Sequence, residues 1–176
     1  MRKLTGFSVS IALFLALAGC AGPRDRPPSP GQENPSAIAQ PEERPPAPSL
    51  SFETFDGDTI SLDQLKGQPV ALNFWAVYCP ACSNFAPVLQ KVYENHKDEG
   101  LLVFGIGAGE QQKQLQEKAD SLGITYPLAI SAEAAGAFKV HAIPITFIID
   151  REGRVAASLL GARDLETVER TVQAIL

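Results

Sequence analysis

The chain is predicted to fold as an α/β sandwich with a mixed sheet, and three observations carry that expectation. Strand-like and helix-like patterns alternate from about Ser49 to the C-terminus. A Cys-x-x-Cys, Cys79-Pro80-Ala81-Cys82, stands where the apolar run Val70 to Trp75 gives way to helical spacing at Phe85, Val88, Leu89, Val92 and Tyr93. Near the end, two β-rich runs flank Arg151-Glu152-Gly153-Arg154 as a hairpin does.

The elements follow in order. Leu50 to Phe55 alternates as a strand, Asp56-Gly57-Asp58 is a turn, and Leu62, Leu65 and Gly67 mark a helical turn before a buried strand from Pro69 to Ala76. A helix from about Cys79 to Lys97 ends at Gly100, and Leu101 to Ile106 is the next buried strand. Glu110 to Leu122 has helix-forming composition with Gly123 as its stop. Ile124 to Ile130 reads as an additional strand and Ala132 to Phe138 as a short helix. Ile145 to Ile149 and Val155 to Leu160 pair as the hairpin, and Asp164 caps a last helix running to Leu176.

The N-terminal part has a different character. Arg2 and Lys3 precede an apolar stretch that ends in Leu17-Ala18-Gly19-Cys20, which reads as a signal peptide over residues 1–19. Leu-Ala-Gly-Cys resembles the bacterial lipobox, which implies cleavage before Cys20 and lipidation of that cysteine. From Gly22 to Pro48 the chain is rich in Pro, Ser, Glu, Gln and Ala without an apolar face, so 20–48 is expected to be anchor plus extended, disordered linker. The folded domain is then 49–176. Of three cysteines in 176 residues, lipidation takes one and leaves a single pair. Loss of Arg2 and Lys3 takes the formal net charge from -5 to -7, which disfavours nucleic acid and electrostatic binding to anionic lipid. Membrane attachment is expected through the lipid alone.

The position of the cysteines has a chemical meaning of its own. A sulfur at a helix N-terminus meets unpaired N–H groups and the positive end of the helix dipole, which favour thiolate over thiol. Cys79 is therefore the expected nucleophile. Cys82, further into the helix, is placed to attack a mixed disulfide on Cys79 and release the product.

Phe74-Trp75-Ala76 before the Cys-x-x-Cys, Pro87 after it, and Ile143-Pro144-Ile145-Thr146-Phe147 downstream together resemble the thioredoxin superfamily. Within it they are similar to the TlpA-like thiol-disulfide oxidoreductases of bacterial envelopes. The resemblance implies a thioredoxin-like sandwich, with the segment 124–138 as a TlpA-like insertion between its two halves. It further implies a cis peptide at Pro144, with Ile143 open to an extended substrate, and supporting roles at the site for Trp75, Tyr78, Pro80 and Ala81. Pro87 is expected to kink the active-site helix. Departures are equally informative: thioredoxins proper place a buried aspartate where this chain has Asn73, and some TlpA-like proteins use a glutamate where it has Phe85. Neither familiar base for Cys82 is present, which leaves its proton acceptor open, with water as one candidate.

A zinc site of two cysteines and two histidines is disfavoured because His96 falls about 20 Å along the same helix from Cys82 at ~1.5 Å per residue. A copper site of the two cysteines with His141 is the non-enzymatic alternative, and peroxidase chemistry is disfavoured by the cysteine spacing. No cofactor and no metal are expected. The resemblance implies a monomeric, lipid-anchored envelope enzyme that reduces protein disulfides, apocytochrome c among the candidate targets, with electrons from a membrane thiol transporter. An oxidase or isomerase of the same fold is the alternative direction. Ala21 after the lipidated cysteine, in place of aspartate, fits an outer membrane if the cell has one.

Overall fold

The computed structural model describes residues 38–107 and 109–176, so the segment read as a signal peptide, Cys20 and the first part of the expected linker lie outside the described residues. Among the described residues no helix is long and apolar enough to cross a membrane.

Two short strands, β1 (Ser51–Glu53) and β2 (Thr59–Ser61), form an antiparallel hairpin closed by Gly57 at φ +89°, and a 3-10 turn over Leu62–Leu65 follows. Strand β3 (Val70–Trp75) leads into helix α1 (Pro80–His96), then β4 (Leu102–Gly107), α2 (Gln112–Ser121), β5 (Leu128–Ile130) and α3 (Ala132–Ala137). The chain closes with β6 (Ile145–Ile149), β7 (Val155–Leu160) and α4 (Leu165–Gln173). The main sheet has the order β5-β4-β3-β6-β7, parallel from β5 to β3 and antiparallel from β3 to β7.

All six residues of β3 are buried, because helices cover both faces of this central strand. Val70, Leu72 and Phe74 face one core with Phe52, Ala134 and Phe138, where the Phe74, Phe138 and Phe147 rings meet at centroid distances of 4.7 to 5.9 Å. Ala71 and Trp75 face the other core with α1, α2 and α4, through Phe85, Leu89, Leu115, Val168 and Val172. The pleat of a single strand thus sorts the apolar residues into two layers.

Two expectations need correction. The linker expected to run to Pro48 is instead fastened to the domain from Ala39 onward. Ala39 N–H bonds to Ala156 O, Ala47 N–H to Gly153 O and Val155 N–H to Pro45 O. The reason is a buried ion pair: Arg44 Nη1 lies 3.0 Å from Asp150 Oδ2, and Asp150 Oδ1 accepts from the Glu152 and Arg154 N–H groups of the β6–β7 turn. One carboxylate therefore holds both the turn and the incoming chain. The strand expected over Ile124 to Ile130 begins only at Leu128, because the Gln90 side chain takes up the chain before it. Thr125 N–H donates to Gln90 Oε1 and Gln90 Nε2 donates to Thr125 Oγ1, both at 2.8 Å.

The far end of α1 is fixed to α4 by charge. His96, buried, is hydrogen-bonded through Nδ1 to Glu99 and through Nε2 to Glu169. Burial opposes the imidazolium, but the two carboxylates outweigh it and raise the His96 pKa above its ordinary 6.5. Burial acts on Glu169 in the opposite sense to His96 and Asn95, whose hydrogen bonds hold it below 4.5. A raised histidine stabilises the fold below 6.5 and loses that contribution as pH rises through its folded value; a lowered carboxylate contributes above 4.5. We therefore expect His96→Gln to cost roughly 1 to 2 kcal/mol between about pH 4.5 and 6.5, with the deficit shrinking as pH rises through the raised His96 value. Thermal melts of both proteins across pH check this; a constant difference from pH 5 to 9 contradicts it.

Candidate active site

The site forms where β3 stops. Trp75 is the last residue paired to β4, opposite Gly107, and the chain then turns through Ala76 to Tyr78, with Cys79 N–H bonded to Ala76 O. Cys79 is the N-cap of α1: its backbone is extended, at φ -94° and ψ 109°, and Cys82 N–H donates to its Sγ at 3.1 Å. Pro80 fits the first helical position because a missing N–H costs nothing there. Pro87 sits within the helix, on its exposed side.

Cys79 and Cys82 form a disulfide with their Cα atoms 5.2 Å apart. The two sulfurs differ in setting. Cys79 is partly exposed, whereas Cys82 is 1% exposed and packs in the core layer with Phe85 and Trp75. A reagent or substrate arriving from solvent meets Cys79 first.

The Ile143–Pro144 peptide is cis, and it brings the Ile143 carbonyl oxygen to 4.0 Å from Cys79 Sγ. Pro144 O accepts from Gly161 N–H at 2.7 Å, which ties the loop to the end of β7. Beside the sulfur runs an open groove lined by Tyr78, Gly109, Ala135, Val140, His141 and Ile143. Tyr78 is 74% exposed there, unusual for so large a ring, while Pro80 and Ala81 complete the exposed rim.

The structure thus brings Tyr78, Cys79, Pro80, Ala81, Cys82, Ile143 and Pro144 together, with Trp75 fully buried underneath. His141 is exposed at the groove and His96 is engaged at the other end of α1. No cluster of three His, Cys, Asp or Glu side chains suited to a metal occurs among the described residues.

Behind the cysteines lies a polar layer. Asn73 is 1% exposed and accepts from Thr146 Oγ1 at 3.1 Å, its register partner on β6. The Tyr126 hydroxyl approaches Asn73 without closing a hydrogen bond, and burial pushes its pKa up, so it stays protonated. Gly105, opposite Asn73, leaves the space: a Cβ there would lie 3.0 Å from both Trp75 Nε1 and Tyr126 Cε2. None of these groups is a base.

One carboxylate near the cysteines went unassigned in the sequence reading, where Glu110 was only the start of a helix. Val77 N–H, two residues before Cys79, donates to Glu110 Oε1 at 3.2 Å. Its only sequence signal is the Gly107-Ala108-Gly109-Glu110 run at the end of β4, whose glycines permit close approach.

The chain is similar to known proteins in sequence and in overall fold. Thiol-disulfide oxidoreductase ResA of Halalkalibacterium halodurans is 28% identical over 131 residues, 73% of this chain and 74% of that protein. Thioredoxin-like protein YneN of Bacillus subtilis (strain 168) is 30% identical over 128 residues, 70% of this chain and 75% of its own length. The crystal structure of a thiol:disulfide interchange protein of the thioredoxin family from Chlorobium tepidum TLS superposes with a TM-score of 0.69 at 31% identity, over 79% of this chain and 99% of that one. The AhpC/TSA family profile matches residues 44–158, from the arginine of the buried ion pair to the middle of β7. With its Cys79–Cys82 pair at the head of α1 and this thioredoxin-like sheet, the chain belongs to the AhpC/TSA family.

Proposed function

We propose that this chain is a thiol-disulfide oxidoreductase that reduces disulfides of proteins outside the cytoplasm, tethered by a lipid on Cys20. The observation that carries the activity is the placement of Cys79 Sγ on the N-terminus of α1, beside the Ile143 carbonyl, with Cys82 buried behind it. Relatives named as thiol-disulfide oxidoreductases support the same reading.

In the reduced protein the Cys79 thiolate attacks one sulfur of a substrate disulfide. A Cys79–substrate bond forms, the substrate S–S bond breaks, and the departing thiolate takes a proton. Cys82 then loses its proton and attacks Cys79 Sγ, which forms the Cys79–Cys82 disulfide and expels the second substrate thiolate. Two electrons have moved from the dithiol to the substrate. The exposed Tyr78 and the groove by Ile143 suit an extended segment laid along the loop, since a strand-like peptide can pair with backbone beside a cis-proline.

The reducing direction rests on Ile143 before the cis-proline, which resembles reducing thioredoxins; a cysteine pair that reduces substrates then needs an electron donor for each turnover. A membrane thiol transporter supplies that donor in this reading. The lipid anchor rests on Leu17-Ala18-Gly19-Cys20 and on the polar sequence after it. The chain is bound to the β6–β7 hairpin from Ala39 onward, so in this reading the spacer between lipid and domain ends there.

In cells, Cys82→Ser should accumulate mixed disulfides through Cys79, identifiable by mass spectrometry after acid quenching, while Cys79→Ser should accumulate almost none. Equal trapping by both variants, or trapping only through Cys82, contradicts the assignment. Reduction of oxidised cytochrome c precursors or other trapped partners by the reduced wild type then reads the direction.

A further inference from the structure

Resolution of a mixed disulfide needs an acceptor for the Cys82 proton, and the layer behind Cys82 provides an amide, two hydroxyls and an indole. We infer that Glu110 is the proton-transfer residue of the dithiol site, receiving the Cys82 proton as the mixed disulfide resolves. The inference rests on the oxidoreductase reading above.

Glu110 reaches the site from a different element, the connection between β4 and α2. Its Oε1 accepts from Val77 N–H, which pins the carboxylate to the segment that carries Cys79. Its Oε2 is buried without a hydrogen-bond partner, and a Cβ on Gly107 would lie 3.2 Å from it. The same Cβ would stand 2.7 Å from Leu115 Cδ2, so Oε2 lies on the face of the sheet that also holds Leu115, Trp75 and Cys82. Gly107 has no side chain, and that is what lets the carboxylate enter.

A purely structural tether does not account for this. Glutamine would accept from Val77 N–H equally well, whereas a carboxylate oxygen buried without a donor costs about 1 to 3 kcal/mol or more. A carboxylate with one oxygen held and the other free of donors is arranged to take up a proton. The transfer is balanced: the S–H bond of Cys82 breaks, an O–H bond forms on Glu110, and the new thiolate displaces the substrate sulfur from Cys79. The proton leaves to the released substrate thiolate or to solvent, which returns Glu110 to its ionised form.

The other titratable groups around it are few. Cys79 and Cys82 stand at the start of α1, Tyr78 and His141 line the groove with Gly109, and Tyr126 lies behind Gly105. On α2, Lys113 is paired with Glu117 at 3.8 Å.

The test uses the reduced full chain mixed rapidly with oxidised glutathione, quenched with acid and weighed, so that the mixed disulfide on Cys79 and the final Cys79–Cys82 disulfide are followed separately. Glu110→Gln should leave attack by Cys79 close to wild type and slow resolution by ~100-fold near neutral pH. The pH profile of the resolving rate in the wild type should differ from that in Glu110→Gln. Glu110→Ala, which also loses the Val77 acceptor, should slow both steps. An unchanged resolving step in Glu110→Gln, equal slowing of both steps in it, or a pH dependence that survives in Glu110→Gln and vanishes in His141→Gln overturns the inference. Wild-type protein that forms no mixed disulfide with glutathione contradicts the proposed function instead.

Discussion

The hydrogen bond from Cys82 N–H to Cys79 Sγ is the contact on which the site depends. It makes the sulfur the cap of α1, so the first turn of the helix directs its unpaired N–H groups and its dipole at a single atom. Everything around it holds that geometry. Strand β3, covered on both faces, fixes where the helix begins, and the His96 pairs with Glu99 and Glu169 fix where it ends. A helix held at both ends cannot rotate Cys82 outward without breaking the core layer it shares with Phe85 and Trp75.

Polar groups in this fold are used in pairs across the sheet. Asn73 and Thr146 satisfy one another at 1% and 0% exposure, so the strand opposite the cysteines carries no buried charge. The buried ion pair of Arg44 with Asp150 lies at the opposite end of β6 from Pro144. Removing either partner leaves the other charge buried, a loss of about 3 to 5 kcal/mol. That arrangement separates the charge that anchors the incoming chain from the chemistry of the dithiol.

Much of this architecture was legible in the sequence because local rules carry it. The two-face burial of β3 shows as an apolar run interrupted only by Asn73, Gly57 and Gly153 mark turns with positive φ, and Asp164 caps α4 by accepting from Thr167 N–H. The cysteine spacing placed one sulfur at the helix start, and the Ile-Pro-x-Thr-Phe run pointed to the loop beside it. What was missed depends on contacts distant in the chain. Arg44 meets Asp150 across 106 positions, Thr125 meets Gln90 across 35, and Glu110 meets Val77 across 33. None of these pairs leaves a periodic trace, and a proline-rich stretch such as 38–48 looks the same whether it is free or fastened.

The central claim is that the helix end, and not the cysteine pair alone, makes Cys79 the reactive thiol. Alkylation of the reduced protein by iodoacetamide, followed across pH with Cys79 and Cys82 resolved by peptide mass, tests it directly. The account predicts a Cys79 rate that plateaus after an inflection well below the ~8.5 of a free cysteine, while Cys82 stays at least an order of magnitude slower near neutral pH. A Cys79 inflection at or above that ordinary value, or faster alkylation of Cys82, contradicts it.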